Sequence, residues 1–141
     1  MTAPTPPMPA QVRDLLASAA RELLEGSGQS HATDRYARAH LAALRTAAAM
    51  LAARARPAVI RGRPRVRSAW SLLAEVAPEL SEWAVFFAAG AGKRVAAEAG
   101  LAGSVTDREA DDLLRDVESF LSLVAATLGV PVALQQVLLA G

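Results

Sequence analysis

Thr106-Asp107-Arg108-Glu109 spells a capping box, in which the threonine and glutamate side chains satisfy each other's backbone donors at a helix start. Ala110, Leu113, Leu114, Val117, Phe120, Leu121, Val124 and Leu128 then recur at helical spacing, and Gly129 and Pro131 end the run. A helix with so continuous an apolar stripe needs other apolar surfaces to cover it. The remaining sequence offers helices for that purpose and no strand-period segment. The expectation is an all-α fold, a four- to five-helix up-and-down bundle.

The first helix should run from about Ala10 to Glu25, with Val12, Leu15, Leu16, Ala19 and Leu23 on one face and Gly26 beyond its end. Thr33 or Asp34 is the expected N-cap of a long second helix that reaches Arg56 and is stopped by Pro57. Tyr36, His40, Leu44, Ala47 and Leu51 form one stripe of it, and Arg38 and Arg45 line another. Alanine on nearly every face lets several neighbours approach closely, which places this helix centrally. Ser68 caps a third helix that buries Trp70, Leu73 and Val76. Pro78 starts a fourth that continues through Leu80, Trp83, Phe87 and Val95, weakened near its end by Gly90 and Gly92. Val132 to Leu139 reads as one more short apolar turn.

A chain of 141 residues suits one domain without metals or disulfides, and there is no cysteine, which removes thiolate nucleophiles and sulfur-ligated zinc. Residues 1–9 carry four prolines and no charge, so they read as a disordered tail rather than a signal peptide, with residues 10–141 as the single domain. The longest apolar stretch, Trp83 to Gly92, is well short of the roughly 20 residues of a spanning helix. A cytoplasmic protein with no membrane contact is expected.

Net charge is only +1, yet residues 1–67 hold eleven arginines against four acids and residues 68–141 hold four bases against ten acids. Such asymmetry marks a surface for polyanions, or glues one half of a bundle to the other. The basic segment containing Arg61, Arg63, Arg65 and Arg67, with Arg38 and Arg45, is the candidate nucleic-acid surface, and its binding should be salt-dependent. No aromatic is interleaved between Tyr36 and Trp70, so base stacking is not indicated there. Gly90-Ala91-Gly92-Lys93 fails as a phosphate loop, because Phe87 stands where glycine is needed, Arg94 where Ser or Thr is needed, and no strand precedes it. The acids Asp107, Glu109, Asp111, Asp112 and Asp116 offer pairs four apart, but they lie opposite the apolar stripe, early in a helix whose dipole favours them. With two histidines, no zinc set is available. Neither metal nor cofactor is expected.

Arg35-Tyr36-Ala37-Arg38-Ala39-His40 contains the R-x-x-x-x-H pattern of the HEPN (higher eukaryotes and prokaryotes nucleotide-binding) domains, at Arg35 and His40. With Ser68-Ala69-Trp70-Ser71-Leu72-Leu73, Ala77-Pro78-Glu79-Leu80, Trp83 and Ala110-Asp111-Asp112-Leu113-Leu114, the chain from about residue 10 to 128 resembles a small stand-alone actinobacterial HEPN family. The resemblance implies a helical bundle, a homodimer, and an RNA- or nucleotide-associated role. In many such domains the Arg and His meet at the dimer cleft as a metal-independent ribonuclease. Arg35 would then stabilise charge on the phosphorane, and His40 would exchange the proton of the 2′-hydroxyl or leaving group.

Spacing adds a condition, because five residues on a straight helix set the two side chains about 140° apart. They converge through a partner chain or a distorted helix end. His40 also falls in the stripe of Tyr36 and Leu44, where a hydrogen-bonded core histidine fits as well. The alternative function is a non-catalytic module for dimerisation or a protein partner. A third reading is a tetrapyrrole or small-ligand pocket lined by Trp70, Trp83 and Phe87, residues that core packing would also explain.

Overall fold

The computed structural model describes residues 8–54 and 68–130. Within them six α-helices follow one another: α1 (Ala10–Ser27), α2 (Ala32–Arg54), α3 (Ala69–Val76), α4 (Ser81–Ala89), α5 (Ala91–Glu98) and α6 (Asp107–Thr127), with a single 3-10 turn at Pro78–Leu80 before α4. There is no strand among the described residues. Residues 1–7 of the expected tail at 1–9, the basic segment with Arg61, Arg63, Arg65 and Arg67, and the apolar turn at Val132 to Leu139 lie outside the described residues, while Met8 packs against the core and Pro9 precedes α1.

Local chemistry sets the helix starts. Thr106 and Glu109 close the capping box in both directions at α6, each bond 3.0 Å long. Ser68 accepts the Ser71 N–H at 3.2 Å and starts α3, and Pro78 opens the 3-10 turn with its missing donor at a position that needs none. The fourth expected helix is broken in two. The chain kinks at Gly90, which ends α4 and precedes α5. A Cβ on Gly90 would stand 3.1 Å from the Tyr36 hydroxyl and 3.8 Å from His40 Nε2, so the missing side chain lets this corner press onto α2.

Gly26 also differs from expectation. It lies inside α1, which runs on to Ser27, and it is buried, because a Cβ there would meet Arg38 Cβ at 3.0 Å. The residue serves close helix packing rather than helix termination. Around it α1 and α2 form an antiparallel hairpin, tied by Arg38 to Glu22 and Glu25 and by Arg45 to Ser18 and Glu22.

α2 is the central helix, as its alanines suggested: it packs against α1, α3, α5 and α6 and buries Ala39, Ala42, Ala43, Ala47, Ala49 and Met50. α6 lays the stripe of Ala110, Leu113, Val117, Phe120, Leu121 and Val124 against this hairpin. The bulk of the core is aromatic. Phe87 stacks on Trp70 with centroids 4.9 Å apart and meets Phe120 at 5.0 Å, and Trp83 flanks both at 5.8 and 5.4 Å. Full burial of each large apolar side chain stabilises by about 1.5–3 kcal/mol, so this cluster supplies much of the cohesion between α3, α4 and α6. Of the three aromatics considered as pocket walls, Phe87 packs against both Trp70 and Trp83.

Candidate active site around Arg35 and His40

Both residues of the R-x-x-x-x-H pattern lie near the start of α2, and their surroundings differ completely. His40 is 1% exposed, with Tyr36, Trp70 and Phe87 rings around it at centroid distances of 6.4, 6.0 and 6.1 Å. Its Nε2 lies 3.3 Å from the Phe87 carbonyl oxygen. A carbonyl only accepts, so Nε2 carries the proton and Nδ1 is left with a lone pair that has no donor among the described residues. Burial holds the imidazole pKa below its usual value, and the charge of Arg94 acts in the same direction, against the Phe87 hydrogen bond and Glu98. The ring is therefore neutral at pH 7.

Arg35 points to the other side of the helix and is engaged through both terminal nitrogens, while its buried Nε has no hydrogen-bond partner among the described residues. One guanidinium nitrogen donates to the carbonyls of Gln29 and Ser30 at 3.1 and 3.0 Å, closing the turn between α1 and α2. The other donates to Asp107 Oδ1 at 2.7 Å, and Nε lies 3.2 Å from Asp111 Oδ1 as an ion pair. Its side chain is only 11% exposed. The guanidinium thus joins a loop in the basic half of the chain to the first turn of α6 in the acidic half. Arg54 makes a second such link, to Glu79 at 2.8 Å.

Chemically, the two side chains do not form a joint site within one chain. A neutral histidine enclosed by rings lacks solvent contact for proton exchange, and an arginine facing two carboxylates has its charge largely matched. Arg38 and Arg45, on the nucleic-acid side of the expectation, pin α2 to α1 through Glu22. The hydrogen bond and charge of Glu22 hold the Arg38 pKa above its ordinary value. Arg61, Arg63, Arg65 and Arg67 lie outside the described residues.

The acids of α6 are mostly partnered. Asp107 and Asp111 hold Arg35, Glu109 binds Lys93, and Asp112 binds Arg115 and approaches Arg108. The Lys93 ammonium, with the Thr106 backbone N–H, draws the Glu109 carboxyl down to about 2. Among the described residues no group of three His, Asp or Glu side chains is arranged to hold a metal, and no described helix is long and apolar enough to cross a membrane.

Sequence reasoning missed the Phe87 carbonyl as the partner of His40, and it treated Gly90 only as a weak point. The signal for Gly90 was a glycine inside an otherwise apolar helical run, which marks close approach as readily as instability.

Residues 26–125 match the model of the HEPN_SAV_6107-like HEPN family. No curated protein and no solved structure matches the chain. The matched region spans α2 to α6 almost entirely and includes both Arg35 and His40.

Proposed function

From the chain's membership of the HEPN_SAV_6107-like HEPN family, we propose that it is a non-catalytic HEPN bundle that works in the cytoplasm by association, pairing with a second copy or a protein partner. The observation that carries this reading is the burial of His40 among Tyr36, Trp70 and Phe87. A catalytic histidine must exchange protons with substrate, and the Nε2–H of this one is held in a hydrogen bond to the Phe87 carbonyl. Arg35 supports the same reading through its two carbonyl and two carboxylate partners. Exposed Val85, Phe86 and Val95 on α4 and α5 give association an apolar surface.

The second reading is a metal-independent endoribonuclease in which His40 and Arg35 act, and Arg38, Arg45, Arg61, Arg63, Arg65 and Arg67 hold RNA. Its support is the R-x-x-x-x-H pattern inside the matched region. Labelled RNA incubated in EDTA with wild type, His40→Ala and Arg35→Ala separates the two. Association predicts no cleavage by any of them, together with a concentration-dependent mass in sedimentation. Cleavage by wild type that both substitutions abolish would establish the ribonuclease instead.

A further inference from the structure

A cleft of about 360 Å³ lies where α2, α4, α5 and α6 meet, walled by Tyr36, Phe86, Lys93, Glu109, Asp112 and Asp116. Its chemistry is uneven. Three carboxylates face one ammonium, and that ammonium is already bound to Glu109. Asp116 has no ion-pair partner among the described residues, and burial together with the charge of Asp112 pushes its carboxyl above the usual range. Asp112 is held by Arg115 and approached by Arg108, both strongly exposed, and surface pairs of that kind exchange at little cost.

Two further groups make the cleft more than a cluster of acids. Tyr36 is only 7% exposed, and its hydroxyl has no hydrogen-bond partner among the described residues. That hydroxyl stands beside Gly90, which also lines the cleft, and it feels the charges of Lys93 and Glu109. The Tyr36 ring is largely buried while its hydroxyl opens onto the cleft, where it can hydrogen-bond a molecule seated there. Phe86, 48% exposed, presents an aromatic ring on the α4 wall.

The sign of the lining repels phosphate and attracts a cation. A free carboxylate, a phenol and an aromatic ring are what an organic cation requires: charge, a hydrogen-bond partner and a face for cation–π contact. Two carboxylates four residues apart on one helix stand about 5–6 Å apart at Cβ, a span that a short dication can bridge.

We infer that this cleft binds a small organic dication, with an ammonium or guanidinium at each end of a short alkyl stem, seated between Asp112 and Asp116 with its stem on Phe86 and a hydrogen bond to the Tyr36 hydroxyl. The same headgroup occurs on free diamines and on arginine side chains of peptides. Agmatine and N-acetylarginine amide therefore serve as the two probes. Only agmatine carries a second charge for the second carboxylate.

The test is an amide NMR titration of the full chain at low salt. Agmatine should give saturable shifts at Phe86, Gly90, Lys93, Leu113 and Asp116. Asp116→Asn should weaken it about tenfold and Tyr36→Phe about threefold, as expected for losing a charged and a neutral hydrogen bond. Glu118→Gln, an exposed change on the same helix, should leave the affinity unchanged. Tyr36→Phe keeps the ring in place and carries the test if Asp116→Asn lowers stability. Non-saturating shifts spread over Asp107 and Glu118, or wild-type affinity in both cleft variants, would overturn the site. Equal or tighter binding of N-acetylarginine amide would overturn the assignment to a small dication. These readouts are independent of RNA cleavage and of self-association, so the site and the proposed function fail separately.

Discussion

Arg35 and His40 stand five residues apart on one helix and live in different solvents. The histidine occupies a dry aromatic interior with one hydrogen bond to the Phe87 carbonyl and an unmatched Nδ1. The arginine occupies a damp seam where every partner is charged or a carbonyl and one of them, Asp107, is largely in water. In the first setting packing sets the energy scale and polarity is a liability. In the second, polarity provides the cohesion and solvent discounts it. A sequence pattern that pairs the two residues by spacing therefore joins groups that a single folded chain separates.

That contrast can be broken or sharpened by mutation. Phe87→Ala removes the ring at the centre of the aromatic wall and should cost about 3–5 kcal/mol by chemical denaturation, the largest effect in the molecule. A loss under 1 kcal/mol would mean the interior is loosely packed and the contrast is false. Arg35→Ala should cost less, about 1–2 kcal/mol, because the partners it abandons at Asp107 and Asp111 can be rehydrated. A cost equal to that of Phe87→Ala would show the seam to be as dry as the core.

His40→Leu should have the smallest effect at pH 7, within about 1 kcal/mol, since an apolar side chain of similar size replaces a poorly satisfied polar one. Its signature lies in the pH dependence. The folded imidazole has a lowered pKa, so its contribution is fully present above about 6.5 and is lost as pH falls from there toward the folded value. The leucine variant should keep stability across that window where wild type declines. Glu109, drawn down to about 2, contributes above the ordinary carboxylate range and loses its share only below it, in a separate window. Identical pH curves for wild type and His40→Leu would remove His40 from the acid response.

Much of this fold was readable in advance because its signals are local. The box at Thr106, the cap at Ser68, the proline at 78 and the alanines of α2 each act within a few residues of themselves. The break at Gly90 was less visible, since it depends on Tyr36 and His40 arriving from another helix. Gly26 misled for the same reason: a glycine near a helix end is ambiguous until its neighbours are known. At the candidate site, the stripe of Tyr36 and Leu44 foretold an inward His40, whereas the carboxylate partners of Arg35 were hidden by distance along the chain. The cleft of Tyr36, Phe86 and Asp116 was invisible, because its walls come from four helices.

The bond from Arg35 to Asp107 spans 72 positions. The α1–α2 hairpin closes through a short turn and gathers its contacts early, whereas this guanidinium finds its carboxylates only after the intervening chain has been drawn together. By that reasoning its docking belongs to a late step of assembly, when α6 packs on the hairpin. During synthesis the first two helices leave the ribosome well before α6, and in that interval Arg35 has its Gln29 and Ser30 carbonyls but neither of its carboxylates. A chain that ends before Asp107 therefore carries one positive charge that the folded protein matches with two carboxylates.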